Sequence, residues 1–206
     1  MTIESMIRQD TVAPKQCELP GVAVAVTDLA HGRTVVLEKN NQVILMFAAA
    51  TATARQTAFC IRHSSGFLQV ALPPHSCDRL LIPEIPVFHS TAPQSTRQCV
   101  AVDAVGGTTG ISATDRARTA RVLGQPDSNH LDITRPGHMV VLKVDDQPAT
   151  TSIVHAAMAL CELATGTRAT MFAELVSPND QRRMADRGEA EQFAQIHGLN
   201  FLHLAV

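Results

Sequence analysis

A mixed β-sheet with flanking helices, of α/β or α+β class, is what this sequence predicts, and three observations predict it. Two apolar runs, Thr34–Glu38 and Val43–Phe47, follow one another with no helical segment between them. Later strand-like runs alternate with stretches of helical spacing, but without the regularity of a doubly wound sheet. No Gly-x-Gly-x-x-Gly follows a strand, so a dinucleotide-binding crossover has no support.

Each element has its own signal. Thr34–Glu38 is β-branched and short and Val43–Phe47 is continuously apolar, so both read as buried strands joined by a loop over Lys39–Gln42. The Ala-rich segment from Thr51 to Ile61 predicts a helix with Thr51 as N-cap, ended by the turn Ser64-Ser65-Gly66 and followed by a strand at Phe67–Leu72. Pro83–Gln98, with three prolines and several small polar residues, predicts a mobile surface loop. Ser112 precedes Asp115 by three residues and Gly124 closes the run, which marks a capped helix over 112–123. Met139–Val144 reads as a strand. Ile153, Ala156, Ala157, Leu160, Leu163 and Ala164 recur at helical spacing before Gly166, with Thr151 or Ser152 as cap. Strands at Thr170–Val176 and Asn200–Val206 flank a helix near Glu189–His197.

At 206 residues and 45% apolar composition the chain forms one domain over 1–206, with residues 1–20 as an N-terminal extension. Seventeen Lys and Arg against 19 Asp and Glu give a net charge of -2 with no like-charge block, so no nucleic-acid or membrane partner is expected. The start, Met1–Arg8, has no basic segment leading into an apolar run, which predicts a cytoplasmic protein. The five cysteines lack Cys-x-x-Cys spacing and read as small core residues. Trp and Tyr are absent and the seven Phe are dispersed, so no aromatic platform is expected.

Three clusters carry candidate chemistry: Arg62-His63-Ser64-Ser65-Gly66, the run Gly106–Arg116 (GGTTGISATDR), and Arg135-Pro136-Gly137-His138. In the second, glycines and hydroxyls run into a helix N-terminus, which suits either an anion or simply a tight loop with a capped helix. Arg62 and His63 fit either a site or a cation pair at a helix C-terminus.

Taken in order, and with Val102-Asp103-Ala104 between them, these clusters resemble the 3,4-dihydroxy-2-butanone 4-phosphate synthase family over roughly residues 20–206. The resemblance implies the α+β fold of that family, a helix over Val22–Ala30, a homodimer with its site near the subunit interface, and conversion of ribulose 5-phosphate to a four-carbon phosphate and formate with Mg²⁺. It also exposes departures. Family members carry Asp-Arg-Glu-Asn-Glu-Gly-Asp before a strand like Leu45-Met46-Phe47-Ala48-Ala49. Counting back from Phe47, the six positions from the family's Arg to its final Asp hold Lys39, Asn40, Asn41, Gln42, Val43 and Ile44, and three carboxylates are gone. Amides replace carboxylates poorly around a hard cation. The family's Arg-x-x-His-Thr-Glu segment falls on Thr150, Ile153, Val154 and His155 when aligned without gaps; a two-residue slip puts His155 on the family His. Glu174, in Ala173-Glu174-Leu175-Val176, matches a family Glu that is a catalytic acid/base candidate.

The resulting expectation is a divergent enzyme of lyase or isomerase class, repurposed in a specialised biosynthetic pathway. It runs metal-independent elimination, isomerisation or cyclisation on a small, less charged substrate, with no cofactor. Glu174, His138 and His155 are its catalytic candidates. Lys39, Asn40, Gln42, Arg62, His63, Ser64, Thr108, Thr109, Ser112, Asp115 and Arg135 are its substrate-binding candidates, and no residue is assigned to a metal. The alternatives are the riboflavin-pathway synthase itself, which would use Mg²⁺, and a non-catalytic metabolite-binding paralogue.

Overall fold

The computed structural model describes residues 20–86, 95–148 and 151–205. In chain order the elements are α1 (Pro20–Ala30), β1 (Val35–Lys39), β2 (Gln42–Ala48), a short 3₁₀ turn (Ala49–Thr51), α2 (Ala54–His63), β3 (Gln69–Leu72), α3 (Pro74–Arg79), β4 (Thr96–Ala104), α4 (Ala113–Gly124), β5 (Ile133–Val144), α5 (Ile153–Thr165), β6 (Thr170–Glu174), α6 (Arg187–His197) and β7 (Asn200–Leu204). The seven strands form one sheet in the order β4-β5-β3-β6-β2-β1-β7. Pairings are antiparallel except for β3 with β5 and β1 with β7, so the sheet is mixed and the fold is α+β. The helix implied over Val22–Ala30 is present as α1, and no helix among the described residues is long and apolar enough to cross a membrane.

Local chemistry explains the boundaries. The loop expected over Lys39–Gln42 contracts to two residues, Asn40 (φ 53) and Asn41 (φ 62), while Lys39 and Gln42 pair as strand ends. Both turn residues are left-handed, the backbone that matches the twist of a two-residue hairpin and that Asn tolerates. Glu38 closes the turn by accepting from the Asn41 amide at 3.0 Å. Asn41→Val is expected to cost about 1–2 kcal/mol, because a β-branched residue is strained at positive φ. Asn41→Gly should be near neutral, and urea midpoints compare the two.

The helix read from Thr51 starts instead after Thr53. Gln56, three residues beyond Thr53, completes a capping box whose hydrogen bonds Thr51 has no partner to make. Ser112 and Ser152 cap α4 and α5 as read, and Gly166 ends α5 in the left-handed conformation. The strands read as Phe67–Leu72, Thr170–Val176 and Asn200–Val206 are shorter, at Gln69–Leu72, Thr170–Glu174 and Asn200–Leu204.

Pro83–Gln98 is not one loop. Thr96–Gln98 opens β4, and Pro83–Ile85 is pinned to its edge by Val100 N–H to Pro83 (2.9 Å) and Ile85 N–H to Gln98 (2.9 Å); residues 87–94 lie outside the described residues. Cys60, Cys77, Cys99 and Cys161 are fully buried core residues. The Phe residues are not all dispersed: Phe59 and Phe193 gather with His63 and His197 into a four-ring cluster, centroids 4.3–6.0 Å apart.

Candidate active site

Strand register decides which candidate residues meet. Ile44 pairs with Glu174, and Gln69 pairs with both Phe172 and Val140, so one end of the sheet carries the β1–β2 hairpin, the end of β6 and the entries to β3 and the paired half of β5. Glu174, His138, the Ser64–Gly66 turn and the Thr108–Ser112 loop collect there. By strand alternation Lys39, Gln42 and Ile44 share the face of Glu174.

Asp103 on β4 and His138 on β5 form the best-defined pair. The His138 amide donates to Asp103 Oδ1 at 3.0 Å and the ring Nδ1 lies 2.7 Å from Oδ2, with the imidazole half exposed and the carboxylate largely covered. An ionised carboxylate on Nδ1 favours the proton there and leaves the Nε2 lone pair outward, the arrangement of an oriented general base. Two glycines make the pair possible. A Cβ on Gly137 would fall 2.1 Å from the Val102 carbonyl carbon, where β5 bulges against β4. A Cβ on Gly110, at φ +77, would fall 2.2 Å from Asp103 Oδ2 and 2.7 Å from His138 Nδ1. Asp103 was not among the predicted site residues, although the Val-Asp-Ala motif contained it.

The Gly/Thr-rich turn adopts the tight-loop reading. Asp115 accepts from the Thr108 hydroxyl (2.6 Å) and amide (3.1 Å), and Ser112 Oγ accepts from the Asp115 amide at 3.1 Å. The Thr108 hydroxyl and then its amide hold the Asp115 carboxyl below the usual aspartate value. Those donors are spent within the loop, and Thr109 beside them is exposed. Arg116 reaches the Gly66 carbonyl at 3.3 Å and the Ser65 amide donates to the Glu174 carbonyl at 3.0 Å, which ties the loop, the turn and β6 together. Ser64 Oγ is used on the Cys60 carbonyl at 2.5 Å. The Glu174 carboxylate is half-buried and has no hydrogen-bond or ion-pair partner among the described residues.

Four predicted site residues lie elsewhere. Arg135 directs its guanidinium to the carbonyls of Leu80 (2.7 Å) and His130 (3.3 Å), where it clamps two loops. His155 is fully buried beneath the start of α5, with Nδ1 2.7 Å from Ser152 Oγ, and lies against the Asp145 backbone just past the end of β5. That end of β5 runs alongside Leu72 and Thr170, roughly 14 Å along β6 from Glu174 at strand rise. Burial lowers the His155 pKa, as for a neutral core histidine. Thr150 lies outside the described residues. Arg62 and His63 end α2 facing a neighbouring groove, and burial, then repulsion by His197 and Arg62, lowers the His63 pKa.

The residues present do not fit a hard divalent cation. The hairpin tip offers amides and one lysine, Val43 and Ile44 are buried strand residues, and Glu38 is committed to His203 and the Asn41 amide. Ile153 is buried, and among the described residues no group of three or more His, Cys, Asp or Glu side chains is placed to hold a metal.

The family model for 3,4-dihydroxy-2-butanone 4-phosphate synthase matches residues 23–206. The chain is 40% identical over 195 residues to the riboflavin biosynthesis proteins RibBA of Mycolicibacterium gilvum and Mycobacterium tuberculosis, covering 91% of this chain and 46% and 45% of those proteins. It thus spans just under half the length of these curated relatives. Among solved structures it is similar to the Candida albicans 3,4-dihydroxy-2-butanone 4-phosphate synthase (TM-score 0.79, 28% identity, 88% of this chain and 92% of that one). It is also similar to a synthase solved in complex with two magnesium ions (TM-score 0.76, 30% identity, 88% and 92% covered). Sequence, motif order and fold agree: the chain belongs to the 3,4-dihydroxy-2-butanone 4-phosphate synthase family.

Proposed function

We propose that this chain carries out its family's reaction, ribulose 5-phosphate to a four-carbon phosphate and formate, with Glu174 and the Asp103-oriented His138 moving the protons. The observation that carries the reading is their placement at one end of the sheet, in a chain 40% identical to riboflavin biosynthesis proteins. Losing one carbon of a ketose as formate requires removal of a C–H proton beside a carbonyl and its return elsewhere, which is work for two positioned acid/base groups. His138 presents Nε2 and Glu174 an unpartnered carboxylate. No step here runs through a metal, because the donor set does not fit one. A small-molecule substrate, lyase class and a homodimer belong to this reading.

One observation favours a second reading. The hairpin tip that the resemblance equates with the acidic loop holds Asn40 and Asn41 in a closed two-residue turn between Lys39 and Gln42. A site without those carboxylates suits a less charged substrate, as in a repurposed family member of a specialised pathway. The experiment is turnover of ribulose 5-phosphate with Mg²⁺ present, together with rescue of a riboflavin auxotroph. Formate and growth support the first reading; no formate, with turnover of a less charged polyhydroxy ketone, supports the second. No turnover of either sinks both in favour of a binding-only protein.

A further inference from the structure

A groove of about 830 Å³ runs along the outer face of α2, between it, the α1–β1 connection and the α6–β7 connection. Arg55, Phe59 and Arg62 lie on one helix face at i, i+4 and i+7, which roots two cationic side chains roughly 10 Å apart along the helix with an aromatic residue between them. Neither guanidinium has a hydrogen-bond or ion-pair partner among the described residues, whereas Arg33 at the groove's far side is paired with Asp28 at 2.7 Å. Gln56 is 8% exposed and lines the groove. Its Oε1 serves the α2 cap while its buried Nε2 has no partner. Asn200, also in the lining, has a buried side-chain nitrogen without a partner.

The unmet groups are all donors: two guanidiniums and two amide nitrogens. The Arg55 and Arg62 guanidiniums are exposed to the groove, so a ligand that brings acceptor oxygens suits this lining, and the closed-in Gln56 and Asn200 nitrogens add unpaired donors beside it that such a ligand meets only when the amides turn outward. The four-ring cluster supplies the other half of the chemistry, since Phe59, His63 and His197 all border the groove. A planar ring packs on such a wall. The volume is that of a site for a small organic molecule.

We propose that this groove binds an aromatic compound bearing phosphate, of mononucleotide size, with the ring against Phe59 and His197 and the phosphate held by Arg55 and Arg62. The groove is not lined by Glu174 or His138, and Thr34 and Asn200 in its lining lie at the opposite end of β1 from the hairpin tip. Calorimetric titration of the full chain with AMP, adenosine and inorganic phosphate tests it. AMP should bind at least about 10-fold more tightly than either fragment. Arg55→Ala, an exposed change, should weaken AMP about 10-fold and leave adenosine unaltered, whereas Phe59→Leu should weaken both. AMP binding no tighter than phosphate, or undiminished in Arg55→Ala, overturns the proposal. Tighter binding of a single-stranded oligonucleotide than of AMP overturns it in favour of nucleic acid. A change of oligomeric state in Arg55→Ala without any AMP binding overturns it in favour of a contact between copies of this chain.

Discussion

Asp103→Asn is expected to lower turnover by about 10²-fold or more while the melting temperature stays within a few degrees of the parent. The carboxylate does two things for His138: it receives the backbone amide at 3.0 Å and faces Nδ1 at 2.7 Å. Asparagine can keep one of these hydrogen bonds, so the β4–β5 junction holds. It cannot stabilise an imidazolium, and if its NH₂ group faces Nδ1 it imposes the wrong tautomer and puts the proton on Nε2. The loss should appear in kcat more than in KM, since orientation of a proton carrier matters most in the transition state. Parent-like kcat in a folded Asp103→Asn protein would reduce the pair to a structural contact.

Gly137→Ala should have the largest effect on stability, at least about 3 kcal/mol, or roughly 6–12 °C in melting temperature for a domain of this size. The added methyl would sit 2.1 Å from the Val102 carbonyl carbon and 2.3 Å from the Asp103 amide nitrogen, both main chain. Backbone cannot rotate away as a flexible side chain does, so β4 and β5 must separate, and His138 moves with them. Gly166→Ala is the useful comparison: it is strained by a φ of +74 but meets no atom within 4 Å, and it should cost less. Equal melting temperatures for the two variants would show that the β4–β5 approach is looser than the structure describes.

Much of the fold was legible because single elements carried redundant signals. For α5, cap, periodicity and terminal glycine agreed; for α4 the Ser112 cap and Asp115 marked the start, while Gly124, read as closing the run, is the last helical residue ahead of Gln125. β4 was hidden because a proline-rich stretch precedes it and its burial is uneven along an edge strand. The first half of β5 was hidden by Pro136 and Gly137, which argue against a central strand. They are tolerated because the register slips between Val102 and Asp103, where a bulge needs no ladder donor. α3 is a single short stretch without periodicity to read.

The site was legible as residue types but not as geometry. Motif order picked out Glu174 and His138, yet only the pairing of Ile44 with Glu174 and of Gln69 with Val140 shows that they share an end of the sheet. Arg135 and His155 carry the same chemistry in sequence and are removed from the site by tertiary contacts: one is spent on two carbonyls, the other buried under a helix start. The aromatic groove lining was invisible for a related reason, since its rings come from α2 and α6, well over a hundred residues apart in sequence.

The proposed chemistry is proton transfer at this end of the sheet by Glu174 and His138. The most direct test is proton NMR of ribulose 5-phosphate in D₂O with Mg²⁺, following deuterium entry at the carbons beside the carbonyl and the appearance of formate. The parent chain should show both, and Glu174→Gln should reduce both by about 10²-fold or more with its fold intact by circular dichroism. Exchange and formate release undiminished in Glu174→Gln, or absent from the parent chain, would contradict the account.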